Sequence, residues 1–150
     1  MYHTLVRQVI RQGFQHLNQG NYDALLKQFS PDVHYLFEGK HAMGGERHSL
    51  SAVRQWFQRV FRLFPCLQFE VERVVVTGWP WDTTAAVQLR VAGQLRDGQP
   101  YKNALVQFLK LRWGKVVDVY TLENLQALTA ALDALAAQGV NEATAAPIEG

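Results

Sequence analysis

Residues 101–123 read YKNALVQFLKLRWGKVVDVYTLE, and the way this stretch folds back on itself decides the architecture. Apolar and polar residues alternate on both sides of Trp113-Gly114, the period of two strands joined by a tight turn. A two-residue primed turn would need Trp113 at positive φ, which is unfavourable for a bulky side chain. The expected connection is therefore a three-residue loop with Gly114 in the left-handed region. That loop pairs Leu111 with Lys115, Leu109 with Val117, Gln107 with Val119, Leu105 with Thr121 and Asn103 with Glu123. One face then collects Tyr101, Asn103, Gln107 and Glu123 among Leu105, Leu109, Val117 and Val119. The other collects Ala104, Val106, Phe108, Asp118 and Tyr120. A sheet that is apolar on both faces needs two covers: helices for one, and a second copy of the chain for the other.

Upstream, LQFEVERVVVT (67–77) and TTAAVQLRVAGQL (83–95) show the same period and flank the turn GWPWD. Before residue 67 the period is helical. Leu5, Val6, Val9, Ile10, Phe14 and Leu17 form one apolar face, and Tyr22, Leu25, Leu26 and Phe29 a second, short one. Val53, Trp56, Phe57, Val60, Phe61 and Phe64 form a third, ended by Pro65. Gly20 and Asn21 separate the first two helices, Ser30-Pro31-Asp32 stops the second, and VHYLF (33–37) is a short strand. Gly39, Gly44 and Gly45 mark a loop, and Ser49 or Ser51 caps the third helix. Asn124 caps a last helix with Leu125, Leu128, Leu132 and Leu135 inward and Gly139 at its end. The order is α+β, with helices segregated to one face of an antiparallel sheet. Residues 1–138 read as one domain and 139–150 as a tail, mobile or draped on a partner.

The composition narrows function by exclusion. With 150 residues, 48% of them apolar, the chain is long enough for one real core. Net charge is only +2, and no Lys/Arg run suggests nucleic acid; Arg54, Arg59 and Arg62 read as a solvated helix face. No apolar stretch is long enough to span a membrane and no secretion signal is visible, so a cytoplasmic setting is expected. The one cysteine, Cys66 in FPCLQF, reads as a small core filler.

Two groups of residues carry chemistry. Asn103, Gln107 and Glu123 on an apolar sheet face resemble the few polar groups that orient a ligand in an apolar pocket. A buried Glu123 would have a raised pKa, suited to proton transfer near neutrality. Alternatively these groups satisfy one another, or Glu123 caps the last helix with Asn124. The stretch HYLFEGKHAMGGERH (34–48) spaces His34, His41 and His48 seven apart. Glycines and a strand interrupt any helix that would align them, and no close His pair exists, so no metal is expected. His34 and Tyr35 point to opposite faces of their strand, His48 is exposed, and His41 sits in the loop, where it could face a cavity.

The chain to about residue 138 resembles the nuclear transport factor 2-like superfamily, in its SnoaL-like polyketide cyclase and ketosteroid isomerase branch. The carriers are SPDVHYLFEGKHAMGGERHSLSAVRQWF, with Glu38-Gly39 where the family has Pro-Gly, and WGKVVDVYTLENLQAL. The resemblance implies a cone-shaped, cystatin-like roll: a curved sheet around helices, an internal pocket for a small hydrophobic ligand, and a homodimer through the sheet. It implies Glu123 as the base at the end of the last strand, where cyclases carry Asp, and Gln107 as a pocket residue where isomerases carry an acid. It puts Tyr35, Phe37 and His41 at the pocket mouth and Trp56 on its wall. No cofactor is implied. The pattern of the isomerase's own base finds no match near Glu38 or His41.

Three functions follow as expectations. The first is a cyclase- or isomerase-type enzyme in which Glu123 abstracts a proton and Asn103, Gln107 or Tyr101 bonds the enolate. The second is a ligand carrier without chemistry, its pocket lined by residues such as Leu109 and Val119. The third is a structural dimer whose cavity is plugged by its own aromatics. The GWPWD turn reads as a packed corner or dimer contact, or as an aromatic lid.

Overall fold

The hairpin at residues 100–123 forms, but its turn is tighter than expected. In the computed structural model, which describes Met1–Gly150, Arg112 pairs with Lys115 across a two-residue turn, with Trp113 at φ 50° and Gly114 at φ 79°. Trp113 thus adopts the conformation its bulk disfavours. Its N–H donates to Pro80 O at 2.6 Å, which ties this turn to the neighbouring one. A bulge follows. Leu111 pairs with Val116, but Lys110 pairs with Asp118, and from there Leu109 faces Val119, Gln107 faces Thr121 and Leu105 faces Glu123. The register differs from the expected one by two residues. A shift of two preserves side-chain parity, so Tyr101, Asn103, Gln107 and Glu123 do share one face. Val117 does not join them: it falls in the bulge, and buried Val116 takes the inward place.

Around this hairpin the sheet has six strands: β1 (Phe29–Phe37), β2 (Gly45–Arg47), β3 (Gln68–Trp79), β4 (Asp82–Gln94), β5 (Pro100–Arg112) and β6 (Lys115–Glu123). Their order is β2-β1-β6-β5-β4-β3, with β1 and β6 parallel and every other pair antiparallel. The sheet curves without closing. β1 begins four residues earlier than expected, so Ser30-Pro31-Asp32 lies inside the strand, where the register with β6 shifts. β2 lies in the stretch that Gly39, Gly44 and Gly45 mark as loop; with only three residues it shows no alternation, and only its pairing with β1 reveals it.

The helices are α1 (Tyr2–Asn18), α2 (Tyr22–Leu26), α3 (Leu50–Leu63) and α4 (Leu125–Ala137). The expected caps form. Asn21 accepts from Ala24 N–H, Ser49 from Ala52 N–H, and Asn124 from Gln126 and Ala127 N–H. Phe14 of α1 meets Phe69 of β3 at 5.8 Å, and Trp56 of α3 meets Tyr35 of β1 at 4.9 Å between ring centroids. Each fully buried large apolar side chain contributes roughly 1.5–3 kcal/mol. Leu5 and Leu125, expected inward, lie at the exposed margins of their helices, and Cys66 is exposed rather than in the core.

The tail folds back on its own domain instead of hanging free. Asn141–Thr144 forms a 3-10 turn, Glu142 binds both Arg59 and Arg62, and His48 N–H donates to Gly150 O at 2.9 Å. Arg59 is consequently drawn out of solvent, with Nη1 on Ala42 O and Ala146 O. No helix is long and apolar enough to cross a membrane.

Candidate active site

Inside the cone lie two adjoining cavities of about 50 Å³ each. They share Phe14, Leu17, Tyr35, Phe57 and Gln107 as their common wall. The first runs under α1 and ends at Leu109, Val116 and Val119. The second is bounded by Phe37, Trp56, Tyr101 and Glu123. The two candidate carriers of chemistry therefore divide: Glu123 touches the second cavity alone, and Gln107 faces both.

Glu123 is 6% exposed. Burial among apolar walls pushes its carboxyl up to about 7, against the downward pull of a hydrogen bond from Tyr101. The Tyr101 hydroxyl donates to Glu123 Oε1 at 2.7 Å and accepts from Asn103 Nδ2 at 2.9 Å. Phe64 stacks on the Tyr101 ring at 4.8 Å and fixes its plane. Burial and the neighbouring Glu123 push the phenol far above its ordinary value, so it remains a donor.

The polar residues do not play equal parts. Asn103 is committed to the fold: Nδ2 also donates to Asn124 O at 3.0 Å, and Oδ1 accepts from Ala104 N–H at 2.8 Å. It orients Tyr101 and the start of α4, and lines neither cavity. Gln107 spends one Nε2 proton on Thr121 Oγ1 at 3.0 Å, which leaves its other amide proton and Oε1 for a guest.

Tyr35 and Phe37, expected near the mouth, are 3–4% exposed and form the deep wall together with Trp56, which was expected there. His41 departs further. Its Nε2–H donates to Glu38 O at 3.1 Å and its Nδ1 accepts from Met43 N–H at 3.1 Å, so the ring braces its own loop. Burial holds its pKa below the usual imidazole value, consistent with that neutral tautomer. Trp79 and Trp81 of the GWPWD turn are exposed and line neither cavity.

Sequence reading missed Arg47. Wholly buried, it donates to Gly44 O, Gly45 O and Ile148 O at 3.2, 2.8 and 2.9 Å, and lies over the rings of Tyr35 and Trp56. Burial lowers its pKa to about 10, still charged at neutrality. It supports the cavity's aromatic wall from behind. In GGERH nothing distinguishes it from a surface arginine.

Residues 10–119, well over half of the chain, match the family described as the SnoaL-like domain. The chain belongs to the SnoaL-like family. Solved structures similar to this SnoaL-like chain agree on the fold. AclR from Streptomyces galilaeus, described as "a putative hydroxylase", is 22% identical, covers 86% of this chain and 96% of its own, and superposes with a TM-score of 0.68. A "putative SnoaL-like polyketide cyclase" from Jannaschia sp. CCS1 is 19% identical over 83% and 88% of the two chains, with a TM-score of 0.70. An NTF2-like protein of unknown function from Burkholderia pseudomallei K96243 is 14% identical over 83% and 95%, with a TM-score of 0.73. No curated protein sequence matches the chain. At these identities the likeness carries the cone-shaped fold and not an activity.

Proposed function

We propose that this SnoaL-like protein is an acid–base enzyme of the cyclase or isomerase kind, acting on a small apolar carbonyl compound held in the cone. The observation that carries the reading is Glu123: a buried carboxylate at the end of β6, facing an apolar cavity, with its proton affinity brought near neutrality. As carboxylate it takes a proton from the carbon α to a carbonyl, and the C–H electron pair moves into an enolate. The free amide proton of Gln107 bonds the enolate oxygen. Return of the proton from Glu123 to another carbon isomerises the substrate. Attack of the enolate carbon on a second carbonyl closes a ring instead, and the Glu123 proton goes to the new alkoxide. The Tyr101 hydroxyl, held by Asn103, positions the acid, while the Tyr101 ring walls the cavity.

A second reading, ligand binding without chemistry, is favoured by the first cavity, whose mostly apolar lining holds no acid. For either reading, about 50 Å³ each is far below the roughly 300 Å³ of common ligand sites. Occupancy by anything larger needs the shared wall at Tyr35, Phe57 and Gln107 to move. A homodimer through the outer sheet face is supported by the exposed Val75, Val106, Phe108 and Leu122. A reducing cytoplasm is the proposed setting, with which the exposed, unpaired Cys66 is compatible.

The test is deuterium exchange at the α-carbon of small apolar β-dicarbonyl compounds, followed by NMR. The wild-type chain is expected to accelerate exchange, with a rate rising through about pH 7, and Glu123→Gln to lose on the order of 100-fold or more. Equal rates for the two proteins would sink the acid–base assignment. Binding without exchange in either would establish the second reading.

A further inference from the structure

On the sheet face turned away from the cavities, three strands bring together residues that sequence spacing kept apart. β2 pairs with β1 so that Tyr35 faces Arg47, which sets His34 opposite His48 one step along, while β6 sets Asp118 beside His34. Strand alternation points Tyr35 inward and His34, Glu46, His48 and Asp118 outward. The His34 and His48 rings stack with centroids 4.8 Å apart. His34 Nε2 lies 2.9 Å from Glu46 Oε2, and His48 Nε2 lies 3.8 Å from the same oxygen. The donor atoms of His34, Glu46 and His48 all fall within 4.8 Å of one another. On its other side, His34 Nδ1 meets Asp118 Oδ1 at 2.5 Å.

We propose that His34, Glu46 and His48 form a binding site for a divalent transition-metal ion, zinc foremost. Four ligands at zinc's usual bond lengths stand about 3.4 Å apart in a tetrahedron. The observed spacings bracket that value, and side-chain rotations of about an ångström meet it without moving a strand. Two imidazoles and one carboxylate are the donor set that borderline ions such as Zn²⁺ prefer over Mg²⁺ or Ca²⁺. Asp118 completes the arrangement from outside. It accepts a hydrogen bond from His34 Nδ1–H and fixes the ring's orientation, so that an entering ion replaces the proton by which Nε2 bonds Glu46. Three protein ligands leave a fourth position open to water. The site is independent of Glu123 and stands whether or not the cone's interior is catalytic.

The test uses the full-length, tag-free chain after treatment with a chelator. Co²⁺ is titrated in and its visible absorption followed, then Zn²⁺ is added in competition. One equivalent of Co²⁺ is expected, with the intense bands of low-symmetry nitrogen–oxygen coordination, and Zn²⁺ is expected to abolish them. The double variant His34→Ala/His48→Ala should lose the bands. Asp118→Asn should keep the stoichiometry and weaken Zn²⁺ binding by about 10- to 100-fold. Should the double variant fail to fold by circular dichroism, the exposed Glu46→Ala takes its place and should weaken binding at least 10-fold. A wild-type chain without the bands, or a folded variant that keeps them at full strength, overturns the proposal.

Discussion

The Tyr101 hydroxyl donates to Glu123 Oε1 at 2.7 Å, and this bond opposes the burial that raises the acid's pKa. Stabilising the charged carboxylate is what keeps the value near neutrality instead of higher.

Tyr101→Phe removes that donor and leaves the ring's packing on Phe64 intact. The Glu123 pKa is expected to rise further, and stability to fall by about 1–2 kcal/mol. A carbon-detected NMR titration of the Glu123 carboxyl in both proteins measures the shift. An unchanged or lower value in the variant would show that the hydroxyl does not act on the carboxylate.

Glu123 also makes stability depend on pH, in the direction opposite to a salt-bridged acid. Its carboxyl titrates near 4.5 in the unfolded chain and at about 7 when folded, so the folded state binds more protons between those values. The stabilising contribution is complete below about pH 4.5 and is lost as pH rises through 7. Full loss amounts to at most roughly 3 kcal/mol. Glu123→Gln has no such dependence. Thermal melts at pH 5 and pH 8 should therefore show the variant gaining on the wild type at the higher pH. A gap that does not change with pH would falsify the buried-acid assignment.

Arg47 ties the β2 region to the C-terminal tail. Arg47→Ala leaves the carbonyls of Gly44, Gly45 and Ile148 without their donor and opens space behind Tyr35 and Trp56. A loss of about 3–5 kcal/mol is expected in urea unfolding. Limited proteolysis should then cut within residues 141–150, which the wild type protects. Resistance equal to that of the wild type would mean that Glu142 with Arg59 and Arg62 holds the tail unaided.

Trp113 sits at φ 50° with 73% of its surface exposed. Trp113→Asn keeps the backbone conformation at lower steric cost and gives up little burial. It should raise the urea midpoint, corresponding to about 1 kcal/mol. A lower midpoint would show that the contact between the Trp113 and Trp81 rings, 6.4 Å apart, outweighs the strain.

Much of the fold was legible because periodicity is local. The helical faces and the four long strands follow from residues a few positions apart, whose shared burial needs no knowledge of distant partners. The face shared by Tyr101, Gln107 and Glu123 survived a wrong turn type for the same reason: a register shift of two leaves parity untouched. The bulge defeated the reading at Val117, because an extra residue changes parity and announces itself only through the partner strand.

By itself, then, the sequence determined the α+β order, the caps at Asn21, Ser49 and Asn124, and the inward placing of a lone acid near the end of β6. Tertiary structure alone decided that β2 exists, that Arg47 is buried, that the tail returns to its own domain, and that His34, Glu46, His48 and Asp118 meet. The physical reason is common to all four. A three-residue strand, a lone arginine, a polar tail and scattered histidines carry no period of their own. Their positions are set by hydrogen bonds to segments up to about a hundred residues away, which form only when the chain closes on itself.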